Sequence, residues 1–195
     1  MILTKVFFAR DTLQVARELL GKVLCVTHKN LRLKAIITET EAYYLHDKAS
    51  HASLGYTEKR KALFMPPGTI YMYYARGGDS LNVSCLGEGN AVLIKAGFPW
   101  VEEKAFKVMQ RLNPSRDGSL RPREKLCAGQ TLLCKALDLK VKTWDQKQFN
   151  RKKFYIEDIN YRPAKIVQTK RLGIPKGRDE HLLYRFIDVQ YVKKF

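Results

Sequence analysis

Between Glu39 and His51 the chain reads ETEAYYLHDKASH, which gathers two glutamates, an aspartate, two tyrosines and two histidines. Three readings suit that set. Glu41 could act as general base toward a water while Tyr43 and His51 hold a flat substrate. Glu39, Glu41, His46, Asp47 and His51 could instead gather a divalent metal, as in a nuclease. The stretch could also be a solvated surface. His46 and His51 lie five apart, outside the i, i+4 spacing that presents two imidazoles from one helix face, which disfavours the metal set.

Two further groups bear on the choice. Tyr43, Tyr44, Tyr71, Tyr73 and Tyr74 are rings of the kind that pack in strands, but in a basic chain they also suit stacking on nucleobases. The chain is basic: Lys+Arg 36 against Asp+Glu 19, net +17. Such an excess repels itself and is relieved by a polyanion, whose released counterions supply affinity. Arg111 to Lys125, Arg151-Lys152-Lys153, Lys170-Arg171 and Lys176 to Arg178 are the expected phosphate contacts. A membrane-surface protein would call for an amphipathic Lys-rich helix or a lipid signal; the sequence shows neither, and no apolar run approaches the ~18 residues of a spanning helix. Cys25, Cys85, Cys127 and Cys134 form no Cys-x-x-Cys and read as buried thiols of a reducing compartment.

The elements that must position these groups can be sketched. With 195 residues, 45% of them hydrophobic, the chain suits one domain that folds without metal or disulfides. Asp11-x-x-Gln14 predicts a capping box, Leu13, Ala16, Leu19 and Leu20 one helical face, and Gly21 the stop. Strands are predicted over Lys22–His28 and Leu31–Tyr43. By strict alternation Leu33, Ala35, Ile37, Glu39, Glu41 and Tyr43 share one face, a row that starts apolar and ends acidic. Tyr44 to Lys61 is an irregular loop. Thr69–Ala75 and Ser80–Leu86 form a hairpin; with Gly77-Gly78 as its turn, Ala75 faces Ser80, Tyr74 faces Leu81 and Tyr73 faces Asn82. Ala91–Gly97 continues the meander, Pro99–Leu112 and Thr131–Leu137 are helices, with Val101, Ala105, Val108 and Leu112 on the apolar face of the first, and Tyr184–Val192 ends the tail. The expected class is α+β: a single domain, residues 1–195, with a curved antiparallel sheet flanked by helices.

ITETEAYYLHDKASHAS, FMPPGTIYMYY, SLNVSCLGEGNAVLIKAG and REKLCAGQTLLCKALDL, in that order, resemble the alkyladenine (3-methyladenine) DNA glycosylases of the mammalian type, from about Ala16 to the C-terminus. The resemblance implies a monofunctional enzyme that flips alkylated or deaminated purines (3-methyladenine, 7-methylguanine, hypoxanthine) from double-stranded DNA. It hydrolyses the N-glycosidic bond with a Glu-activated water and leaves an abasic site. No metal or cofactor is implied. Glu41 takes the place of the general base. Tyr43, His51 and Tyr73 are the rings that sandwich the extruded base, and Asn82 lines the pocket floor, where it penalises the exocyclic amine of guanine.

The sequence departs from the family at three places. Lys95 stands where an arginine helps hold the attacking water, and is carried as a catalytic residue with less fixed geometry. YARGGDS is one residue short of the segment bearing the intercalating tyrosine, so Arg76 is the expected plug, with Tyr74 beside it and Arg171, Lys176 and Arg178 as further DNA contacts. Gly129-Gln130 replaces a Gly-Pro. A monomer without membrane association is expected, in the cytoplasm at the nucleoid if bacterial and in the nucleus if eukaryotic. The rival functions are a metal-dependent nuclease using Glu39, Glu41, Asp47 and His51, and a non-catalytic basic nucleic-acid-binding module.

Overall fold

The computed structural model describes residues 1–75 and 77–192. Helices α1 (Lys5–Phe8) and α2 (Thr12–Leu19) precede a hairpin of β1 (Val23–His28) and β2 (Leu31–Tyr43). Two 3-10 turns, His51–Leu54 and Glu58–Phe64, lead to β3 (Ile70–Ala75), β4 (Gly78–Ser84) and β5 (Ala91–Pro99). Four helices follow, α3 (Glu103–Leu112), α4 (Arg123–Leu126), α5 (Gln130–Ala136) and α6 (Val141–Trp144), and then β6 (Phe154–Glu157), β7 (Ile166–Thr169) and β8 (Arg185–Asp188). All strands join one antiparallel sheet in the order β3-β4-β5-β2-β1-β6, with β8 against β2 and β7 against β8. This is the expected α+β class, a curled sheet with helices at its margins.

Local chemistry explains where α2 begins and ends. Asp11 caps it by accepting from the Gln14 amide, whereas the Gln14 side chain donates to Glu18, so only half of the capping box forms. Val15, Ala16 and Leu19 are buried on the sheet and Leu13 only partly. Gly21 ends the turn at φ +82°, and a Cβ there would lie 2.5 Å from the Tyr161 ring, so both backbone and space require glycine. In α3 the buried stripe is Ala105, Phe106 and Met109, with Val108 and Leu112 at its margin. The expected face is present but its centre lies at Phe106, and Val101, which precedes the helix, also packs against the core.

Next to Gly21, the buried Lys22 ammonium pairs with Asp158 at 3.0 Å, and Arg162 adds two bonds at 3.0 and 3.1 Å. Burial pushes the Asp158 carboxyl up, but the bonds from Arg162, Lys22 and the Asn160 amide outweigh it and hold the group well below its ordinary value of 3.8. A carboxyl depressed in this way contributes its full stabilisation above the unfolded-state value and loses it gradually as pH falls from there through its own depressed value. Asp158→Asn is therefore expected to cost about 1–3 kcal/mol near pH 7, a Tm loss of several degrees, and progressively less as pH falls below the ordinary value of 3.8. Thermal melts of both proteins from pH 7 down to about pH 2 check this; a loss that does not shrink over the acid part of that range would refute the pairing as its source.

Candidate active site

The site is set up by a bulge in β2. β5 follows β2 from Ala35 to Tyr43, but its register shifts between Ile37 and Glu39 and again between Glu39 and Thr40. Leu33, Ala35 and Ile37 join the core cluster with α2, and so does Ala42; Thr40 donates to the Ala16 carbonyl of α2 at 2.7 Å. The side-chain parity therefore reverses near Thr38. Contrary to strict alternation, Glu39, Glu41 and Tyr43 do not continue the face of Leu33, Ala35 and Ile37. They turn to the opposite face, as one inserted residue must make them do.

On that face a row crosses five strands. Tyr71 pairs with Asn82, Asn82 with Leu93, Leu93 with Glu41, and Glu41 with Arg185. Side chains paired in this way stand on one surface. The hairpin differs from expectation: Tyr73 faces Ser80 and Ala75 faces Gly78, so Tyr71, not Tyr73, is opposite Asn82. The turn falls one residue earlier because Gly78 is needed inside β4, where a Cβ would meet Thr131 of α5 at 2.7 Å. The register moves by two residues, so parity survives and Tyr71, Tyr73, Ser80 and Asn82 still share one face.

A cavity of about 420 Å³ opens over this surface, within the ~300–1,000 Å³ usual for small-molecule clefts. Tyr43, His51, Tyr71, Tyr73, Asn82 and Lys95 all line it, and Leu172 to Pro175 form a strap along its edge. His51 sits in a 3-10 turn capped by Ser50, and its Nδ1 meets the Tyr71 hydroxyl at 2.8 Å. Its ring packs edge-on against Tyr73 with centroids 4.5 Å apart, so these two make one continuous wall. Burial, then the charges of Arg60 and Arg178, hold the His51 imidazole below its usual value and neutral at pH 7. The Asn82 amide donates to the Tyr71 carbonyl at 3.2 Å. A carbonyl only accepts, so Oδ1 of Asn82 is left as the acceptor end.

Glu41 is fully buried and lies one layer beneath the cavity wall. The Tyr43 hydroxyl donates to Oε2 at 2.7 Å, and Oε1 receives the Leu172 amide at 3.3 Å and faces the Lys95 ammonium at 3.3 Å. All three of these residues belong to the wall, so the carboxylate is one side-chain displacement from the cavity. Burial, the Glu41 charge and the bond to Glu41 push the Tyr43 phenol well above its ordinary value, which keeps it a donor. Neighbouring Glu39 is held by Arg185 at 2.6 Å.

Some expected residues stand elsewhere. Arg171 presents nothing to solvent: its guanidinium is buried, paired with Asp47 through both nitrogens and bonded to the Ala42 carbonyl. It is no phosphate contact, because a buried paired cation cannot reach one. Arg178 is exposed at the cavity edge and donates to the Lys48 carbonyl, and Lys176 is exposed on the same strap. Tyr74 is 69% exposed beside the hairpin turn, and Arg76 lies outside the described residues. Tyr44 bonds to Asp11, and His46 stacks on Tyr44, which places both against the α2 side. With Glu39 committed to Arg185, Asp47 to Arg171 and His51 to Tyr71, the proposed metal ligands do not converge. Among the described residues no group of three or more His, Cys, Asp or Glu could hold an ion, and no helix is long and apolar enough to cross a membrane.

Three contributors escaped the sequence reading: the Leu172 amide, the Asp47–Arg171 pair, and Gln130. Gln130 lines the cavity and donates to Ser80 Oγ at 2.9 Å and toward the Tyr73 hydroxyl at 3.5 Å. Arg185 had a readable signal, since a cation next to the apolar pair Phe186-Ile187 calls for a buried acid.

Comparison with known proteins agrees with this geometry. The family described as methylpurine-DNA glycosylase (MPG) matches residues 6–191. A relative from Pseudomonas aeruginosa (strain UCBPP-PA14) is 61% identical over 191 residues, covering 95% of this chain and 79% of its own. One from Pseudomonas syringae pv. tomato is 59% identical over 191 residues, covering 96% and 86%, and one from Clostridium beijerinckii is 36% identical over 180 residues, covering 89% and 88%. All three carry the name "Putative 3-methyladenine DNA glycosylase". A match of that length, on a chain whose acid and rings meet at one cavity, settles the matter of kinship: the chain belongs to the methylpurine-DNA glycosylase family, monofunctional DNA N-glycosylases of alkylated-base repair.

Proposed function

We propose that the enzyme flips alkylated or deaminated purines out of double-stranded DNA and hydrolyses their N-glycosidic bond with a water activated by Glu41. One observation carries the reading: a fully buried carboxylate stands in the same cross-strand row as the ring-lined cavity, under Tyr43 and Lys95. A base inside a duplex must first be unstacked, at a few kcal/mol, and less for a damaged or mispaired base. Stacking in the slot offsets that. The wall made by Tyr73 and His51 and the ring of Tyr43 offer π-faces, which favour a cationic alkylated purine by roughly 0.5–2 kcal/mol. Departure of such a base leaves it neutral and needs no acid, while the sugar becomes oxocarbenium-like. Glu41 stabilises that charge and takes the proton of the attacking water, reached when Lys95 swings from Oε1.

Asn82 sets part of the selectivity, though not by charge. Its free end is an acceptor and would welcome an N–H. Discrimination against the 2-amino group of undamaged guanine would therefore be steric, and 7-methylguanine, which keeps that amine, is released because its cationic base leaves more readily. The net charge of +17 supplies sequence-independent affinity for the duplex.

The test is a single assay on duplexes containing 7-methylguanine or hypoxanthine, run with and without chelator, with base release and strand breaks scored separately. Base release unaffected by chelator, with breaks only after alkaline treatment, is expected. Chelator-sensitive strand breaks would reinstate the nuclease, and salt-dependent binding without base release would leave only a binding module.

A further inference from the structure

The cavity wall formed by Tyr43 has a cation behind it. The Arg171 guanidinium lies 4.5 Å from the centre of the Tyr43 ring. Tyr43 lines the cavity and Arg171 does not, so the guanidinium covers the ring face turned away from the cavity. A second ring, Tyr184, lies 5.3 Å from the same guanidinium. Asp47 binds it through both oxygens, and the side chains of the pair are 0% exposed. Asp47 is itself fixed, since Oδ1 also accepts from the Ala49 amide at 2.9 Å. Buried charge of both signs is thus held one ring's thickness from the place a base would stack.

We propose that Asp47 and Arg171 form a specificity-determining pair: Arg171 clamps Tyr43 from behind, and Asp47 cancels the charge that would otherwise repel a cationic base on the front of the ring. This rests on the function proposed above and adds how the site balances cationic alkylated purines against neutral deaminated ones. An aromatic ring attracts cations at both faces. A bare guanidinium behind the ring would use one face and oppose a cation at the other, about 8 Å away. At an effective dielectric of about 20, that repulsion is worth roughly tenfold or more in rate. With Asp47 in bidentate contact the pair is neutral, and the front face keeps its attraction. A neutral base such as hypoxanthine feels little of either effect.

The readout is the ratio of single-turnover rate constants, at saturating enzyme, for 7-methylguanine and for hypoxanthine in otherwise identical duplexes. A ratio does not depend on the fraction of enzyme that is folded. Asp47→Asn uncovers the cation and is expected to lower the ratio about tenfold. Arg171→Gln leaves a buried carboxyl without its counter-ion, which takes up a proton rather than stay charged, so the ratio is expected to remain near that of the unaltered enzyme. The double variant, neutral again, is expected to return the ratio to near that of the unaltered enzyme, with both rates lower because Tyr43 is no longer clamped. Should Asp47→Asn fail to fold, Asp47→Ser, which uncovers the same cation and leaves room beside it, carries the same test. In the Asp47 variant, parallel losses on both substrates with an unchanged ratio, or a shift of the wrong sign, would make the pair a structural buttress only. Release of neither base by the unaltered enzyme would instead overturn the proposed function, an outcome distinct from an unchanged ratio among active variants.

Discussion

Glu41→Gln is expected to slow base release from a methylated duplex by roughly 10³-fold, while its affinity for the same DNA stays within about threefold. Glutamine has the shape of glutamate but cannot take the proton of the water, nor balance charge on the sugar. In this site it is also short of acceptors. Three donors converge on Glu41, from Tyr43, Leu172 and Lys95, and an amide offers one oxygen. One donor is left unpaired, so a modest loss of thermal stability, about 1–3 kcal/mol, accompanies the change. Because Glu41 lies beneath the cavity wall, affinity for DNA should be untouched. Single-turnover kinetics, a binding titration and a thermal melt separate the three effects; full turnover by this variant would remove Glu41 from the mechanism.

The same residue shows what could be read without coordinates. Alternation grouped Glu39, Glu41 and Tyr43 correctly, because they lie beyond the bulge and move together. It placed them on the wrong face, because a single inserted residue leaves no mark on a local pattern. The β3–β4 hairpin was the converse case. Its turn was misplaced, since the packing of Gly78 on Thr131 is a contact between distant segments, yet a shift of two residues leaves every side chain on its predicted face. The resemblance led to Tyr43, His51, Tyr73 and Asn82, all found lining the cavity. It could not have led to the Asp47–Arg171 pair, whose partners stand 124 residues apart. An arginine in a basic tail reads as a phosphate contact until a buried carboxylate is found beside it.

Lys95 tests the mechanism from the other side. It falls at the second register shift, where β5 carries an extra residue opposite Glu39 and Thr40, and such a shift re-aims a side chain. Here its ammonium is set 3.3 Å from Glu41, with 15% of the side chain exposed. Two effects of removing it oppose one another. A lost positive charge would ease formation of the oxocarbenium-like sugar, and the same loss strips a fully buried carboxylate of its counter-ion. Isolated burial of a charge costs several kcal/mol, more than a partly screened repulsion returns, and a carboxyl so placed takes up a proton instead. The second effect therefore wins: Lys95→Met is expected to lose roughly 10²-fold in base release near pH 7 and to recover part of it as pH rises. Lys95→Arg, which keeps the charge, should stay within about tenfold of the unaltered enzyme. The ion pair also explains why lysine here is not expected to attack C1′, since an ammonium bound to a carboxylate has no free electron pair. Borohydride should trap no covalent enzyme–DNA complex. A trapped complex that disappears in Lys95→Met would turn the enzyme into a lyase, and a Met variant as fast as the original would show that Glu41 needs no cation at its side.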